Sequence, residues 1–411
     1  MDTNNTNEST KRSGFAVVLI ISVSVIGILL TGVLFSGLQS TFFEPIEIQV
    51  QEKPAETIAD TMPVATAPVE YALMDNYDTF ISGTMNDAYA GAKSVKKLFW
   101  IDEEAELPPV ANAANYGETT DPTSLQWLID EAQQILDGQE LTFSTDVAIY
   151  PGSKVTYYLD ESIFAVTWKA VYYDFVYTMC EVKVAHPSQV RRYIAEGTYG
   201  SDYLYTPTTM ASSVNAVAAM SGDYYRGRNY GIVVYDGTVH QVSYGNQVDT
   251  CYVDYDGDFH FTYRGEILDK EAAQKYVDDN HISFSLAFGP ILVDNGVRCE
   301  HDSYALGEVN DGYPRAAICQ KDKLHYILVT ANWEGPYYKS PNIHTFASVI
   351  ETFQVQKAYT LDGGQTGAIA MDGKLMNPTL RGEQRRISDI VYFATAVPNW
   401  SSETEATEPT A

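Results

Sequence analysis

The chain has 411 residues, enough for one large or two medium domains plus accessory segments, and its 45% hydrophobic content can supply a sizeable core. The formal net charge is −28, from 54 Asp and Glu against 26 Lys and Arg. Such a surface repels polyanions and excludes nonspecific nucleic-acid binding, so an anionic substrate has to be met by a local group of Arg or His. Thirty tyrosines favour β-rich structure, because aromatic rings suit a half-buried pleated surface.

In chain order, the first element is a nearly unbroken, uncharged apolar run from Phe15 to Phe35, of the length needed to cross a bilayer. Lys11 and Arg12 precede it, whereas Glu44 and Glu47 follow. The positive-inside rule then predicts residues 1–14 as a cytoplasmic tail, 15–37 as a membrane anchor and the remainder outside the cell. A cleaved signal peptide is the alternative; the apolar run is long for one, and no clear Ala-x-Ala site follows it. Residues 38–70, rich in Pro, Glu, Thr and Ala, read as a flexible spacer. Residues 71–179 form an accessory segment that is mainly helical to about 140. Within it Asp121-Pro122-Thr123-Ser124 opens a helix whose Leu125, Leu128, Ile129, Ala132 and Leu136 recur at helical spacing, with Gly138 past the end.

From about residue 141 strands dominate. Stretches 156–160, 163–168 and 182–185 are β-like, and Pro187 to Ile194 reads as a short helix after His186. A helix is expected over Ala211 to Ala219. Further strands are expected at 230–235, 248–253, 260–263, 282–288, 316–319, 325–330 and 387–395, with helices at 268–279 and 344–353. Strands in runs without βαβ alternation predict an α+β fold: a mixed, largely antiparallel sheet core with peripheral helices, preceded by one transmembrane helix. The main domain is expected over 180–397 and a disordered tail over 398–411. The tail's Asn399-Trp400-Ser401 fits a glycosylation acceptor.

Cys180, Cys251, Cys299 and Cys319 form no C-x-x-C pair, which removes zinc and thioredoxin-like readings. Asp254-Tyr255-Asp256-Gly257-Asp258 invites a calcium loop. Counted from Asp254, however, Phe259 stands where an EF-hand needs Gly and Gly265 where it needs Glu, so a hairpin turn at Asp256-Gly257 is the better reading. G-x-S-x-G, H-E-x-x-H and Walker patterns are missing from the sequence, and no cofactor or metal is expected.

Two segments attract attention. In Asp362-Gly363-Gly364 a carboxylate follows an apolar stretch and adjoins two residues that let the backbone approach a neighbour closely; a plain tight turn is the competing reading. Ser221-Gly222-Asp223-Tyr224-Tyr225 puts a carboxylate beside two rings, with Arg226 and Arg228 after them. Tyrosines can face a sugar and Asp223 can act as a base, or the segment can be a solvated loop.

Six segments stand in a fixed order: Ser221 to Tyr225, Gly231-Ile-Val-Val-Tyr-Asp-Gly237, Phe288-Gly-Pro-Ile-Leu-Val-Asp-Asn-Gly296, Pro314-Arg-Ala-Ala-Ile318, Ala358-Tyr-Thr-Leu-Asp-Gly-Gly364 and Gln384-Arg-Arg-Ile-Ser-Asp389. With them, residues 180–397 resemble the phosphodiester glycosidase domain family, which includes bacterial exported and membrane-anchored, exopolysaccharide-related relatives. Ser221 stands where the family has Asn, Gln365-Thr366-Gly367 follow its Asp-Gly-Gly, and Gln384 replaces its Glu. The resemblance implies hydrolysis of a sugar-1-phosphodiester, with a glycan or sugar phosphodiester as partner. Placed on that chemistry, Asp362 is the expected catalytic carboxylate and Asp223 its partner. Arg315 and Arg385 are expected on the phosphate, with His186 and Arg228 in reserve. Gly363, Gly364, Gln365 and Thr366 are expected against the substrate, and Tyr224 and Tyr225 along the sugar. A glycan-binding or envelope-assembly module on the same fold is the alternative.

Overall fold

The computed structural model describes residues 107–120, 129–130, 132, 136, 154–223, 225–226, 230–305, 309–334, 339–379 and 382–397. All of them lie within one compact unit, Thr66–Ala411. The expected anchor 15–37, its flanking tail 1–14, the spacer 38–70, the tail 398–411 and most of the expected helical stretch 71–140 lie outside the described residues. Among the described residues no helix is long and apolar enough to cross a membrane.

Short β1 (Tyr116–Thr119) precedes β2 (Val155–Leu159), β3 (Ile163–Tyr172) and β4 (Phe175–Val184). β3 and β4 are joined by Tyr173 and Asp174, both at positive φ (51° and 62°), a two-residue turn whose twist matches the flanking strands. β5 (Val190–Ile194) leads to helix α1 (Pro207–Ser213) and β6 (Ala218–Ser221). Next come β7 (Ile232–Tyr235), β8 (Thr238–Val242), β9 (Thr250–Asp254), β10 (Phe259–Thr262), helix α2 (Lys270–Asp279), β11 (Ile282–Leu286), β12 (Ile291–Asp294) and β13 (Val297–Arg298). The long pair β14 (Arg315–Asp322) and β15 (His325–Asn332) precedes helix α3 (Ile343–Glu351) and β16 (Lys357–Leu361). β17 (Ile369–Met371), β18 (Lys374–Leu375) and β19 (Asp389–Phe393) complete the series.

These strands form a nine-stranded sheet ordered β1-β2-β3-β4-β15-β14-β16-β12-β13 and a five-stranded sheet ordered β18-β17-β6-β19-β5. A three-stranded sheet (β10-β9-β11) and the β7-β8 pair lie beside them. The expected mixed sheet is antiparallel in every pairing among the described strands.

Side chains alternate across a strand, and here both faces of the large sheet are covered. Tyr177, Met179, Ile327 and Val329 face one core, where Phe346, Ile350 and the helical residues Ile129, Ala132 and Leu136 pack. Cys180, Val182, Leu328 and Ile318 face the other, against Met220, Ile369, Val391 and Phe393 of the five-stranded sheet. That second sheet sends Ala219, Ala370 and Ile390 outward to Met210 and Ala211 of α1. α3 is capped by Asn342, which accepts the Thr345 N–H at 2.8 Å, and its buried Ile343, Phe346, Ala347 and Ile350 follow helical spacing. The hairpin turn read at Asp256-Gly257 joins the paired strands β9 and β10, and Asp372-Gly373 likewise joins β17 and β18.

Two expected helices differ. Pro187 to Ile194 is one 3-10 turn (Pro187–Gln189) followed by β5, which pairs with β19. Ala211 to Ala219 ends as a helix at Ser213; Asn215 takes φ 54°, a left-handed position that stops a helix, and Ala218 and Ala219 enter β6. In both cases sheet pairing overrides the local preference.

Candidate active site

The corner Asp362-Gly363-Gly364 follows the last residue of β16. Ala316 of β14 pairs with Leu361, so Arg315 and Pro314 run alongside the corner. The approach is close. A Cβ on Gly363 would run into the Pro314 carbonyl oxygen, and the Gly364 N–H donates to that same oxygen at 3.2 Å. Gly364 itself takes φ 66°. The Thr366 and Gly367 N–H groups both return to Gly363 O (3.1 and 3.3 Å), closing a tight turn. Next to it, the Arg385 N–H donates to Gln365 O at 3.1 Å, which brings the loop before β19 against the corner.

β6 arrives from the second sheet. Ser221 N–H donates to Ala368 O (3.1 Å), and its hydroxyl accepts the Ala368 N–H (3.3 Å). Beyond it, Gly222 has no room for a Cβ because the Asp389 carboxylate lies against it. Asp223 is buried, and its Oδ1 accepts from Tyr225 N–H (2.8 Å) and Arg192 Nη2 (3.0 Å), its Oδ2 from Ala287 N–H (2.8 Å). Arg192 of β5 also donates through Nε to Asp389 Oδ2 at 3.0 Å and through Nη1 to Ser285 O. One guanidinium thus holds two carboxylates, with all three side chains fully buried. Burial pushes the Asp389 carboxyl up to about 6 despite the opposing pull of Arg192, and Asp223 adds to the rise. Burial alone would weaken the Arg192 charge, but the two carboxylates outweigh it and hold the guanidinium protonated.

The structure therefore joins Asp362, Gly363, Gly364, Gln365, Thr366, Arg315 and Arg385 in one neighbourhood. It gives several of them other work than the sequence suggests. Gly364 directs its N–H to Pro314 rather than to an open cleft, and Thr366 is buried inside the turn. Arg315 is buried and ties two loops together, donating from Nε to Pro341 O (3.3 Å) and from Nη2 to Asp311 O (2.8 Å). Arg385 is exposed, while Asp362 and Gln365 are half-buried. Asp223 is engaged on both oxygens. Tyr225 is 5% exposed, lies 5.6 Å from the Arg192 guanidinium and stacks on Tyr199 at 5.3 Å, so its ring covers the ion cluster rather than a surface groove.

His186 is a helix cap, not a cation. Its Nδ1 accepts the Ser188 N–H at 3.2 Å, and burial pulls its pKa down to about 3. An imidazole that accepts at Nδ1 and stays neutral cannot supply charge to a phosphate. Tyr224 and Arg228 lie outside the described residues. The residues that sequence reasoning missed are Arg192 and Asp389. Arg192 stands midway between Val190 and Ile194 in a period-two pattern, which is the signal of a charge facing inward.

Chemically, a half-buried carboxylate, an exposed guanidinium and a rigid glycine turn can meet an anionic ester and stabilise positive charge on a neighbouring carbon. Among the described residues no group of three or more His, Cys, Asp or Glu could hold a metal ion.

Residues 214–394 match the family model described as phosphodiester glycosidase. No curated protein matches the chain. Among solved structures, the chain is similar to the auto-inhibited catalytic domain of zebrafish N-acetylglucosamine-1-phosphodiester alpha-N-acetylglucosaminidase. The two are 17% identical, the match covers 57% of this chain and 83% of that one, and the TM-score is 0.46. It is also similar to a hypothetical protein from Synechocystis at 13% identity, over 56% of this chain and 62% of that one, with a TM-score of 0.40.

Proposed function

We propose that the chain is an extracytoplasmic, membrane-anchored hydrolase of sugar-1-phosphodiesters in envelope or exopolysaccharide glycans. The observation that carries this reading is the Asp362 corner, wedged against Pro314 and bonded through Gln365 to the loop of Arg385, within the stretch that matches the family. In the reaction water adds to the anomeric carbon as the bond from that carbon to the phosphate oxygen breaks. The products are the free sugar and a phosphomonoester. A phosphomonoester leaves readily, so little general-acid help is needed. Asp362 steadies the oxocarbenium character and orients the water. Arg385 pairs with the phosphate oxygens, a match of guanidinium fork to oxyanion. Arg315 acts from behind, fixing the loop that carries Pro314.

A second reading, a glycan-binding module without turnover, is favoured by one observation. Glycosidases normally work with a pair of carboxylates, and here Asp223 is occupied on both oxygens. The test is to incubate the purified chain with a panel of sugar-1-phosphodiesters, including GlcNAc-α-1-phosphodiesters, and to follow free sugar. Turnover that falls about 10²–10³-fold in Asp362→Asn, and loses substrate affinity in Arg385→Ala, is expected. Binding without sugar release would support the module. Turnover unchanged by both substitutions would overturn the site.

A further inference from the structure

At one end of the interior strands β3, β4, β15 and β14 stand aromatic residues, and that end runs up to the corner. Tyr172 pairs with Phe175 at the turn of the β3–β4 hairpin. Val176 pairs with Asn332, so Trp333 stands opposite Phe175, one residue beyond the last pair. On the far side of β15, Ala331 pairs with Arg315. Tyr313 lies two residues before Arg315, next to Pro314, whose carbonyl takes the Gly364 N–H. The Arg315 guanidinium lies 5.8 Å from the Tyr313 ring centroid and helps to fix that ring. With strands ~4.8 Å apart, the row from Tyr172 to the corner extends about 20 Å.

Trp333 is 45% exposed, Tyr313 42% and Tyr173, in the hairpin turn, 70%. Other rings of the chain are exposed too, Tyr203 and Tyr244 among them, so the informative feature is that these stand in one row leading to the corner. The patch is small, on the order of 300 Å² from three partly exposed rings. That falls well below the ~800 Å² per partner of a stable protein interface. The net charge of −28 disfavours an extended polyanion, and Glu334, the residue after Trp333, already pairs with Lys169 at 2.6 Å. A small row of exposed rings suits neutral sugar rings, whose C–H faces stack on aromatic faces while their hydroxyls remain in water.

We infer that Trp333 and Tyr313 form a stacking subsite for neutral sugar rings beside the Asp362 corner, so that the phosphodiester is presented as part of a longer neutral glycan. The subsite rests on the hydrolase reading only for what happens at the corner; binding of sugar along the row can be measured without turnover.

The test titrates the full chain with neutral chito- and malto-oligosaccharides of increasing length, read by tryptophan fluorescence and calorimetry. In parallel, turnover is measured on a sugar-1-phosphodiester capped with methyl and on one capped with an oligosaccharide. Affinity for at least one series should rise with length, weaken about tenfold or more in Trp333→Ala, and recover in Trp333→Phe. The KM of the oligosaccharide-capped ester should rise in Trp333→Ala while kcat and the methyl ester stay within about twofold. No saturable binding of either series, or equal affinity in wild type and Trp333→Ala, overturns the subsite even if the methyl ester is hydrolysed. Length-dependent binding lost in Trp333→Ala sustains the subsite even if no ester is turned over, and then the hydrolase reading alone fails.

Discussion

Asp389 is pulled by opposing forces. Burial disfavours its charge; Arg192, bonded to its Oδ2, favours it; Asp223 on the same guanidinium disfavours it again. The other groups facing it are Ser388 Oγ at 3.3 Å and the Asp223 N–H at 3.4 Å. The folded carboxyl keeps its proton up to about 6, against 3.8 for the ordinary side chain. The native state therefore binds the extra proton between those values. Its stability from this group is full below about 4, falls as pH rises to about 6 and is flat above. Asp389→Asn is expected to remove that slope from urea midpoints measured across pH 4–7, leaving one guanidinium facing one carboxylate. Arg192→Met, which leaves two carboxylates in a buried site, should cost about 3–5 kcal/mol at neutral pH and less at pH 5. An identical slope in wild type and Asp389→Asn would show that the carboxyl titrates normally in the fold.

At the scale of elements, the corner depends on how closely β16 and the entry to β14 approach each other. Any side chain on Gly363 meets the Pro314 carbonyl, which is backbone and cannot swing away. Gly363→Ala should cost about 1–3 kcal/mol by overpacking, and should lower turnover more than stability because it pushes Asp362 off its strand end. Gly382→Ala is the control. That residue has φ 76° and nothing within 4 Å of the added methyl, so it should lose stability through strain while keeping turnover. A Gly363→Ala variant with wild-type turnover would detach the corner from the chemistry. These elements also mark what the sequence can reveal. The strands and helices with continuous apolar patterning, such as β14, β15 and α3, lie where the pattern puts them. β5 was hidden because Arg192 occupies an inward position that a hydrophobic pattern scores as polar, and β6 because its Ala-Ala-Met run suits helix as well as strand. That Asp362, Arg315 and Arg385 share a neighbourhood is an expectation of the family resemblance, which linear spacing alone does not give. The division of labour follows from neither, since only the fold shows that Arg315 and Asp223 are buried and bonded to protein groups and that Arg385 is exposed.

The whole molecule adds a term that no local contact carries. A chain with net charge −28 repels an anionic ester at long range, whereas the guanidinium of Arg385 attracts it only at close quarters. Salt weakens the two unequally. Raising ionic strength from about 0.01 to about 0.1 M shortens the screening length from about 30 to about 10 Å, which removes most of the distant repulsion and less of a contact pair. kcat/KM for a sugar-1-phosphodiester should therefore rise about three- to tenfold over that range, mainly through KM, while the affinity of neutral oligosaccharides at Trp333 stays level. Arg385→Ala should lower the values at every salt concentration yet keep the upward trend, because the repelling surface is unchanged. A fall in kcat/KM with added salt would mean that local attraction dominates the approach, and that the substrate meets a cationic mouth rather than an arginine in an acidic field.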